Sequence, residues 1–328
     1  MTRQFDNTFW GLTAGLLFLF VLNLFLEEWM RTIGLQSLSR GLVAVGLLIL
    51  WRTGLVSFGH ALFFGFGAYT VALMQIVGVN DIFVLMFCGT AVAGLFAFLL
   101  GFLLRQYRAI FFALLNMAFS MILYGVLAKV ESLGSTDGIG INQITYLGLK
   151  PEGEGYRMAL FVFAAVFAYI AAVGAHWYLK STLGMMTMAV RENEIRVEYL
   201  GYSAERAIHV KYVISGLLAG AGGVIMAITV GHVDPESMVY WIVSGDFVFI
   251  TILSGTGNVG ATFIGALVYE LLRTYAFEFA PHIWQLILGG SLLFIIMFLP
   301  DGLWSIRSEW RNRRNLAAAA RSETQVAE

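Results

Sequence analysis

Lys180–Lys211 reads KSTLGMMTMAVRENEIRVEYLGYSAERAIHVK, a charged stretch set between two long apolar runs. It carries Lys180, Arg191, Arg196, Arg206 and Lys211 together with Glu192, Glu194, Glu198 and Glu205. The runs on either side, Met158–Leu179 and Tyr212–Gly231, hold no Asp, Glu, Lys or Arg. Each is long enough for a hydrocarbon core ~30 Å thick, so the contrast predicts membrane spans joined by an aqueous segment. Basic residues concentrate on the cytoplasmic side of membrane proteins, which places this segment inside the cell. Read as a helix, it has a broken apolar stripe of Met188, Val190, Ile195, Val197, Tyr199 and Leu200. Arg191–Ile195 and Glu192–Arg196 stand at the i,i+4 spacing that sets side chains next to each other, and Gly201 reads as a C-terminal stop. Such an element is either a grip for a soluble partner or a solvated connector.

Composition agrees with the membrane reading. The 328 residues are 59% hydrophobic and 12% charged, against roughly 25% charged in average globular chains. Continuous apolar runs, rather than alternating ones, favour helices as the spanning element. A net charge of −1 with no basic groove argues against a nucleic-acid partner. The single Cys88 sits in an apolar run, leaving no disulfide framework or Cys-based metal site. The first run follows Arg3 and ends at Glu27, Glu28 and Trp29 without a small-residue cleavage signal, so it reads as a retained span.

The fold class expected is an all-α polytopic membrane protein with about ten transmembrane helices. The spans assigned are Phe9–Leu26, Leu35–Trp51, Gly54–Val77, Ile82–Leu104, Ala109–Val130, Met158–Leu179, Tyr212–Gly231, Trp241–Ser254, Gly260–Phe279 and Ile283–Leu299, the eighth being short. With both termini cytoplasmic, Arg3, Arg52, Arg105, Arg108, the 180–211 loop and the Arg307, Arg311, Arg313 and Arg314 tail all fall inside. Glu27, Glu28, Arg31, Asp81, Glu131, Asp137, Glu152, Glu154 and Asp234 fall outside with few bases, as the positive-inside rule prefers. The domain expectation is a transmembrane unit over 1–306, with a periplasmic loop at 131–157, and a basic, disordered tail over 307–328.

Several spans carry small or polar residues in register. Ser57, Ala61 and Gly65 recur every four residues in Gly54–Met74, and Ser215, Ala219 and Gly223 do so in Tyr212–Gly231. Small residues let helices approach closely in lipid. His60 is either a packed interior group or part of a pathway. Asn116 and Ser120, with Tyr124 a turn further, form a polar stripe that suits interhelical bonding or a translocation lining. The segment Glu131–Tyr156 is rich in turn residues and reads as a loop or a non-helical hairpin in a protein-lined cavity. Ile252–Gly265, ILSGTGNVGATFIG, lacks the Lys-Ser/Thr of a phosphate loop and reads as a tight cytoplasmic turn. Glu270 and Arg273, at i,i+3, are expected to neutralise each other. No metal-ligand spacing, nucleophile elbow or catalytic carboxylate pair is visible, so transport rather than catalysis is expected. Few mid-span ionisable groups (His60, Asp246, Glu270, Arg273) are available for a proton relay, which points to an external motor.

The chain resembles the longer inner-membrane permease subunit of branched-chain amino acid ABC importers. The resemblance rests on RTGLVSFGHALFFGFGAYTVAL (Arg52–Leu73) and on FFALLNMAFSMILY with GSTDGIG (Phe111–Gly140). It continues through AVRENEIRVEYLGY (Ala189–Tyr202), VISGLLAGAGGVIMA (Val213–Ala227), ILSGTGNVGATFIGA (Ile252–Ala266) and LPDGL (Leu299–Leu303). It implies that Arg191, Glu192, Asn193 and Glu194 are the polar contacts of an ATPase-coupling helix, with Tyr199, Leu200 and Gly201 at its end. It further implies a heterodimer with a second related permease, two cytosolic ATP-binding subunits that carry ATP and Mg, and a periplasmic substrate-binding protein. The location implied is the bacterial inner membrane, among its lipids, with no cofactor or metal in this chain and no nucleic acid. Candidate pathway residues are His60, Phe64, Asn116, Ser120, Thr136 and Asp137. The sequence departs from the family pattern at Gly134-Ser135-Thr136-Asp137-Gly138, where Gly-Gly-Ser/Thr-Asp-Gly is common, and at Ser254, where Gly is usual. The importer class also includes carriers of urea, short amides and aromatic acids, and a self-contained facilitator or secondary carrier is a further alternative.

Overall fold

The computed structural model describes residues 6–151, 153–298 and 302–304. Among them the helices are α1 (Asn7–Asn23), α2 (Glu28–Trp51), α3 (His60–Ile76), α4 (Ile82–Leu104), α5 (Ala109–Leu127), α6 (Glu154–Lys180), α7 (Thr182–Glu192), α8 (Glu194–Tyr199), α9 (Ala204–Val230), α10 (Pro235–Met238), α11 (Trp241–Ser254), α12 (Val259–Phe279) and α13 (Trp284–Phe298). Backbone polar groups in lipid must be satisfied within the segment, and the apolar runs read from the sequence fall on α1–α6, α9 and α11–α13. Six segments are long and apolar enough to cross a membrane: Glu28–Trp51, Ile82–Leu104, Ala109–Leu127, Glu154–Lys180, Ala204–Val230 and Pro235–Ser254. Asn7–Asn23, His60–Ile76 and Trp284–Ile295 are apolar but shorter. The chain is therefore a multi-pass, predominantly helical membrane protein.

Helix α9 is the centre of the bundle and packs along α2, α3 and α4. Its glycines make this possible. A β-carbon at Gly223 would lie 1.9 Å from the Phe64 carbonyl oxygen, and one at Gly67 would lie 2.0 Å from that of Gly220. Here α3 and α9 touch backbone to backbone, as small residues allow where lipid supplies no hydrophobic drive. Helices α6 and α12 lie against the other sides of α2, and α1 runs along α6.

Four expectations need correction. The third helix begins at His60, not Gly54: Gly54 has φ +79° and residues 53–59 are non-helical, with the Ser57 hydroxyl accepting from the Gly59 N–H. Its 17 residues cover about 26 Å at 1.5 Å each. The eighth span starts before Trp241: the 14 residues of α11 reach about 21 Å, and the segment long and apolar enough to cross is Pro235–Ser254. Short α10, capped by Asp234 and starting at Pro235, precedes α11, and Tyr240 (φ −59°, ψ 144°) stands between them as the N-cap of α11. The outer segment is not a plain loop, because β1 (Ile139–Gly140) pairs antiparallel with β2 (His232–Val233). Gln75 clamps it as well, its amide donating to the Asn142 carbonyl at 3.1 Å and accepting from the Asn142 N–H at 2.7 Å. Finally, Glu270 pairs with Arg40 of α2 at 2.7 Å rather than with Arg273.

The bundle has two chemically distinct ends. At one, Lys180 meets Asp6 at 2.6 Å, Arg105 meets Glu205 at 3.2 Å, and Arg52 donates to the Thr256 carbonyl at 3.1 Å. Burial alone would raise the Asp6 carboxyl, but hydrogen bonds from Lys180, the Phe9 N–H and His176 hold it well below the usual carboxylate range. The opposite end holds Asp81, Glu131, Asp137 and the 131–151 segment, where Asp81 caps α4 and accepts from the Leu147 N–H at 2.6 Å. Arg3, Glu152, most of LPDGL and the Arg307–Arg314 tail lie outside the described residues.

Candidate functional site

Two chain breaks meet in the middle of the bundle. His60 opens α3, and its ring nitrogens lie 2.9 Å from Ser57 Oγ and 2.5 Å from Ser215 Oγ of α9. A neutral imidazole offers one donor and one acceptor, so one serine donates to it and the other receives. The next backbone N–H, of Ala61, donates to Ser244 Oγ of α11 at 2.9 Å. From α5, Ser120 donates to the Val239 carbonyl at the α10–α11 break, at 2.8 Å. Asn116 donates to the Phe112 carbonyl at 2.7 Å and accepts from the Tyr212 hydroxyl of α9. Phe64 packs against Phe247 of α11 with ring centroids 5.0 Å apart.

Four of the six candidate pathway residues are thus gathered at one junction: His60, Phe64, Asn116 and Ser120, all buried. Thr136 and Asp137 stand apart, exposed at the β1 end of the molecule. Non-helical backbone at membrane depth occurs only where protein or a cavity satisfies it, and broken helices are where transporters seat solutes. Interhelical bonds of this type contribute on average about 0.6 kcal/mol each, so the junction can exchange partners at small cost. Sequence reading did not assign roles to Ser57, Tyr212, Ser215, Ser244 or the Val239 carbonyl. Ser57 and Ser215 had registered only as small residues, and nothing local indicates that Ser244 ends up against α3.

The charged stretch forms a platform at one end. It is not one helix. Asn193 is extended (φ −160°, ψ 100°) and its side chain accepts from the Arg196 N–H at 2.9 Å, so α7 stops and α8 starts there. Arg191–Ile195 and Glu192–Arg196 therefore sit across a break instead of along one face. The charged segment also ends sooner than Lys211, which lies fully buried within α9. Buried Val190 and Val197 seat the platform, and the Arg191 stem covers Gly54. Glu194 turns towards the bundle, where Arg108 grips both its carboxylate oxygens at 2.9 and 2.5 Å. Glu192 and Asn193 are exposed, as are Ile195, Tyr199 and Leu200, with Tyr199 88% accessible. Gly201 turns the chain away with φ +83°. Exposed apolar and aromatic side chains thus lie beside charged ones at this end of the bundle.

Among the described residues no cluster of three or more His, Cys, Asp or Glu is placed to hold a metal ion. The family described as branched-chain amino acid transport system / permease component matches residues 30–297. The chain belongs to that family. Its relatives include the high-affinity branched-chain amino acid transport system permease protein LivM of Escherichia coli (strain K12), 26% identical over 319 residues, which are 88% of this chain and 73% of that protein. LivM of Salmonella typhimurium is 27% identical over 288 residues, 80% of this chain and 65% of its own length. The LivH permease protein of the same organism is 20% identical over 298 residues, 85% of this chain and 95% of LivH. No solved structure matches the chain. As a family member, this permease is a transport component and not a catalytic subunit.

Proposed function

We propose that the permease forms one half of the membrane pathway of an ATP-driven importer for branched-chain or other hydrophobic amino acids, operating by alternating access. The observation that carries this is the family match over residues 30–297, joined to relatives named for high-affinity branched-chain amino acid transport. Counting Pro235–Ser254 as one crossing makes ten, with both termini on the platform side, cytoplasmic, in a bacterial inner membrane. The permease unit then spans 1–306, with the platform within 180–211, the periplasmic segment at 131–157 and a cytoplasmic tail at 307–328. A second related permease completes the pathway as a heterodimer. Two cytosolic subunits supply ATP and Mg, and a periplasmic protein delivers the solute.

Arg191, Glu192, Asn193, Tyr199, Leu200 and Gly201 form the surface offered to an ATP-binding subunit, and Glu194 ties that surface to the bundle. Movement of the platform is passed through Arg108 to α5, whose Asn116 and Ser120 close the junction at His60 and Phe64. Thr136 and Asp137 stand at the periplasmic mouth. For this to do work, the ATP-bound subunits must bind one permease state better than the other, since equal affinity shifts nothing.

The test is uptake by the complete complex in proteoliposomes, offered leucine, urea and benzoate in turn. ATP-dependent accumulation of leucine is expected. Accumulation of urea or benzoate in place of leucine would replace the substrate, and uptake indifferent to ATP would overturn the importer reading.

A further inference from the structure

We propose that the cleft between α1 and the face formed by α2, α6 and α12 holds one acyl chain of a membrane phospholipid, whose phosphate lies at the platform end beside Arg52. The family match covers residues 30–297, so α1 stands outside it and the cleft is made by a helix laid against the family core. Polar bonds tie α1 to α6. The Thr13 and Tyr169 hydroxyls meet at 3.0 Å, Lys180 reaches Asp6 at 2.6 Å, and the Asn23 amide donates to the Met158 carbonyl at 3.4 Å. Towards α12, the Asn258 amide donates to the Thr8 hydroxyl at 3.4 Å, at the start of α1. Between these two lines of contact lies a cavity of about 460 Å³. Gly11 and Gly15 of α1 line it, and a β-carbon at either would meet nothing.

The shape selects the occupant. The wall runs along α1 from Asn7 to Leu19, about 18 Å at 1.5 Å per residue. That is a little over half of a hydrocarbon core ~30 Å thick, or roughly the depth of one leaflet. Spread over this length, 460 Å³ leaves a cross-section about 5 Å wide, less than half the ~10–12 Å of a helix with its side chains. A helix from a second copy is too wide, whereas one extended hydrocarbon chain fits. At the far end α2 and α6 close the cleft, since a β-carbon at Gly34 would lie 2.6 Å from the Phe161 ring.

The chemistry of the wall agrees. Among the described residues, no buried side-chain atom left without a hydrogen-bond partner belongs to it. The Ser37 hydroxyl, in its depth, donates to the Ile33 carbonyl at 2.7 Å, and Leu12, Leu16, Leu38 and Phe263 surround it with apolar surface. Apolar cavities stay dry, and an empty one forfeits the dispersion contacts of its lining, so a hydrocarbon occupant is stabilising. The mouth differs. Asn7, Thr8, Asn258 and Trp304 gather there, and Trp is characteristic of the headgroup level. Arg52 donates to the Thr256 and Gly257 carbonyls at 3.1 and 3.4 Å and has no carboxylate within salt-bridge distance among the described residues. A β-carbon at Gly257 would lie 3.2 Å from Trp304 Cδ1, so this cation stands beside the mouth and complements a phosphate.

The experiment is photocrosslinking of the assembled complex in phosphatidylethanolamine nanodiscs doped with phosphatidylethanolamine that carries a diazirine midway along one acyl chain. Adducts are located by peptide mass spectrometry. In the wild type, adducts at Leu12, Leu16 and Phe263 should saturate as the probe fraction rises, while those on the exposed face of α4 should rise in proportion to it. Gly11→Leu combined with Gly15→Leu fills the cleft and should cut the cleft adducts several-fold. Gly174→Leu, in open space outside the cleft, should leave them unchanged. Arg52→Gln should raise the probe fraction needed for half-saturation several-fold, and an unchanged value would overturn the phosphate contact. Cleft adducts that rise without saturating, as annular lipid would give, or that persist in the filled variant would overturn the site. Adducts that appear only once residues 307–328 are removed would overturn it too, by making the tail the occupant.

Discussion

Arg108, the residue that opens α5, holds both carboxylate oxygens of Glu194, the residue that opens α8. Two helix starts from distant parts of the chain are thereby clamped by a bidentate pair, whose fixed fork geometry transmits direction as well as attraction. Helix α5 carries Asn116 and Ser120 to the mid-bundle junction, while α8 carries the exposed apolar residues of the platform. In the proposed mechanism this contact is the route by which a push on α8 would reach the junction.

If the platform is where an ATP-binding subunit grips, its exposed charge and aromatic tip set the fit. Glu192→Lys and Tyr199→Ala, alone or together, are expected to cut ATPase stimulation by loaded binding protein at least several-fold. Both side chains are exposed, and surface substitutions away from special features change stability by about 0.5 kcal/mol or less. Expression and melting temperature should therefore stay as in the wild type. Hydrolysis rates in proteoliposomes check this, and unchanged stimulation counts against the docking surface.

The α3–α9 contact admits no extra atom. Gly223→Ala would place a methyl 1.9 Å from the Phe64 backbone oxygen, which no rotamer change can relieve. Forcing the helices apart should cost about 1–3 kcal/mol, seen as a lower melting temperature in detergent. Gly174→Ala, with open space around it, should melt like the wild type.

Lys211 is fully buried in α9, and its ammonium has no hydrogen-bond partner among the described residues. Its charged neighbour is Arg52, of like sign. Replacing an uncompensated buried cation by an apolar side chain of similar length removes a desolvation cost, so Lys211→Met should stabilise the fold by about 1–4 kcal/mol. A raised melting temperature is the expected readout. A lowered one would show that Lys211 has an acceptor in the assembled complex.

What was legible in the sequence followed from local physics. The uncharged runs around Lys180–Lys211 locate α6 and α9, and the Ser215, Ala219 and Gly223 register marks the helix that others pack against. The breaks were less visible because each depends on something far away in the chain. His60 starts a helix where its ring finds Ser215, 155 positions on. The stop at Tyr240 lies beside a Val239 carbonyl taken by Ser120. Asn193 is the exception, since a capping residue three positions before Arg196 is a local signal; the long charged pattern around it hid the stop. Glu270 and Arg273 stood at a plausible spacing, yet Arg40 took Glu270, because at membrane depth the better-placed partner wins whatever its distance in sequence.

The measurement that tests coupling most directly is ATP hydrolysis and leucine uptake, recorded side by side in proteoliposomes, for the wild type and for Glu194→Gln and Arg108→Ala. Loss of the clamp should leave hydrolysis responsive to the loaded binding protein while uptake per ATP falls several-fold, with the double variant no worse than either single one. Uptake per ATP equal to that of the wild type in all three variants would contradict transmission through Arg108 and Glu194.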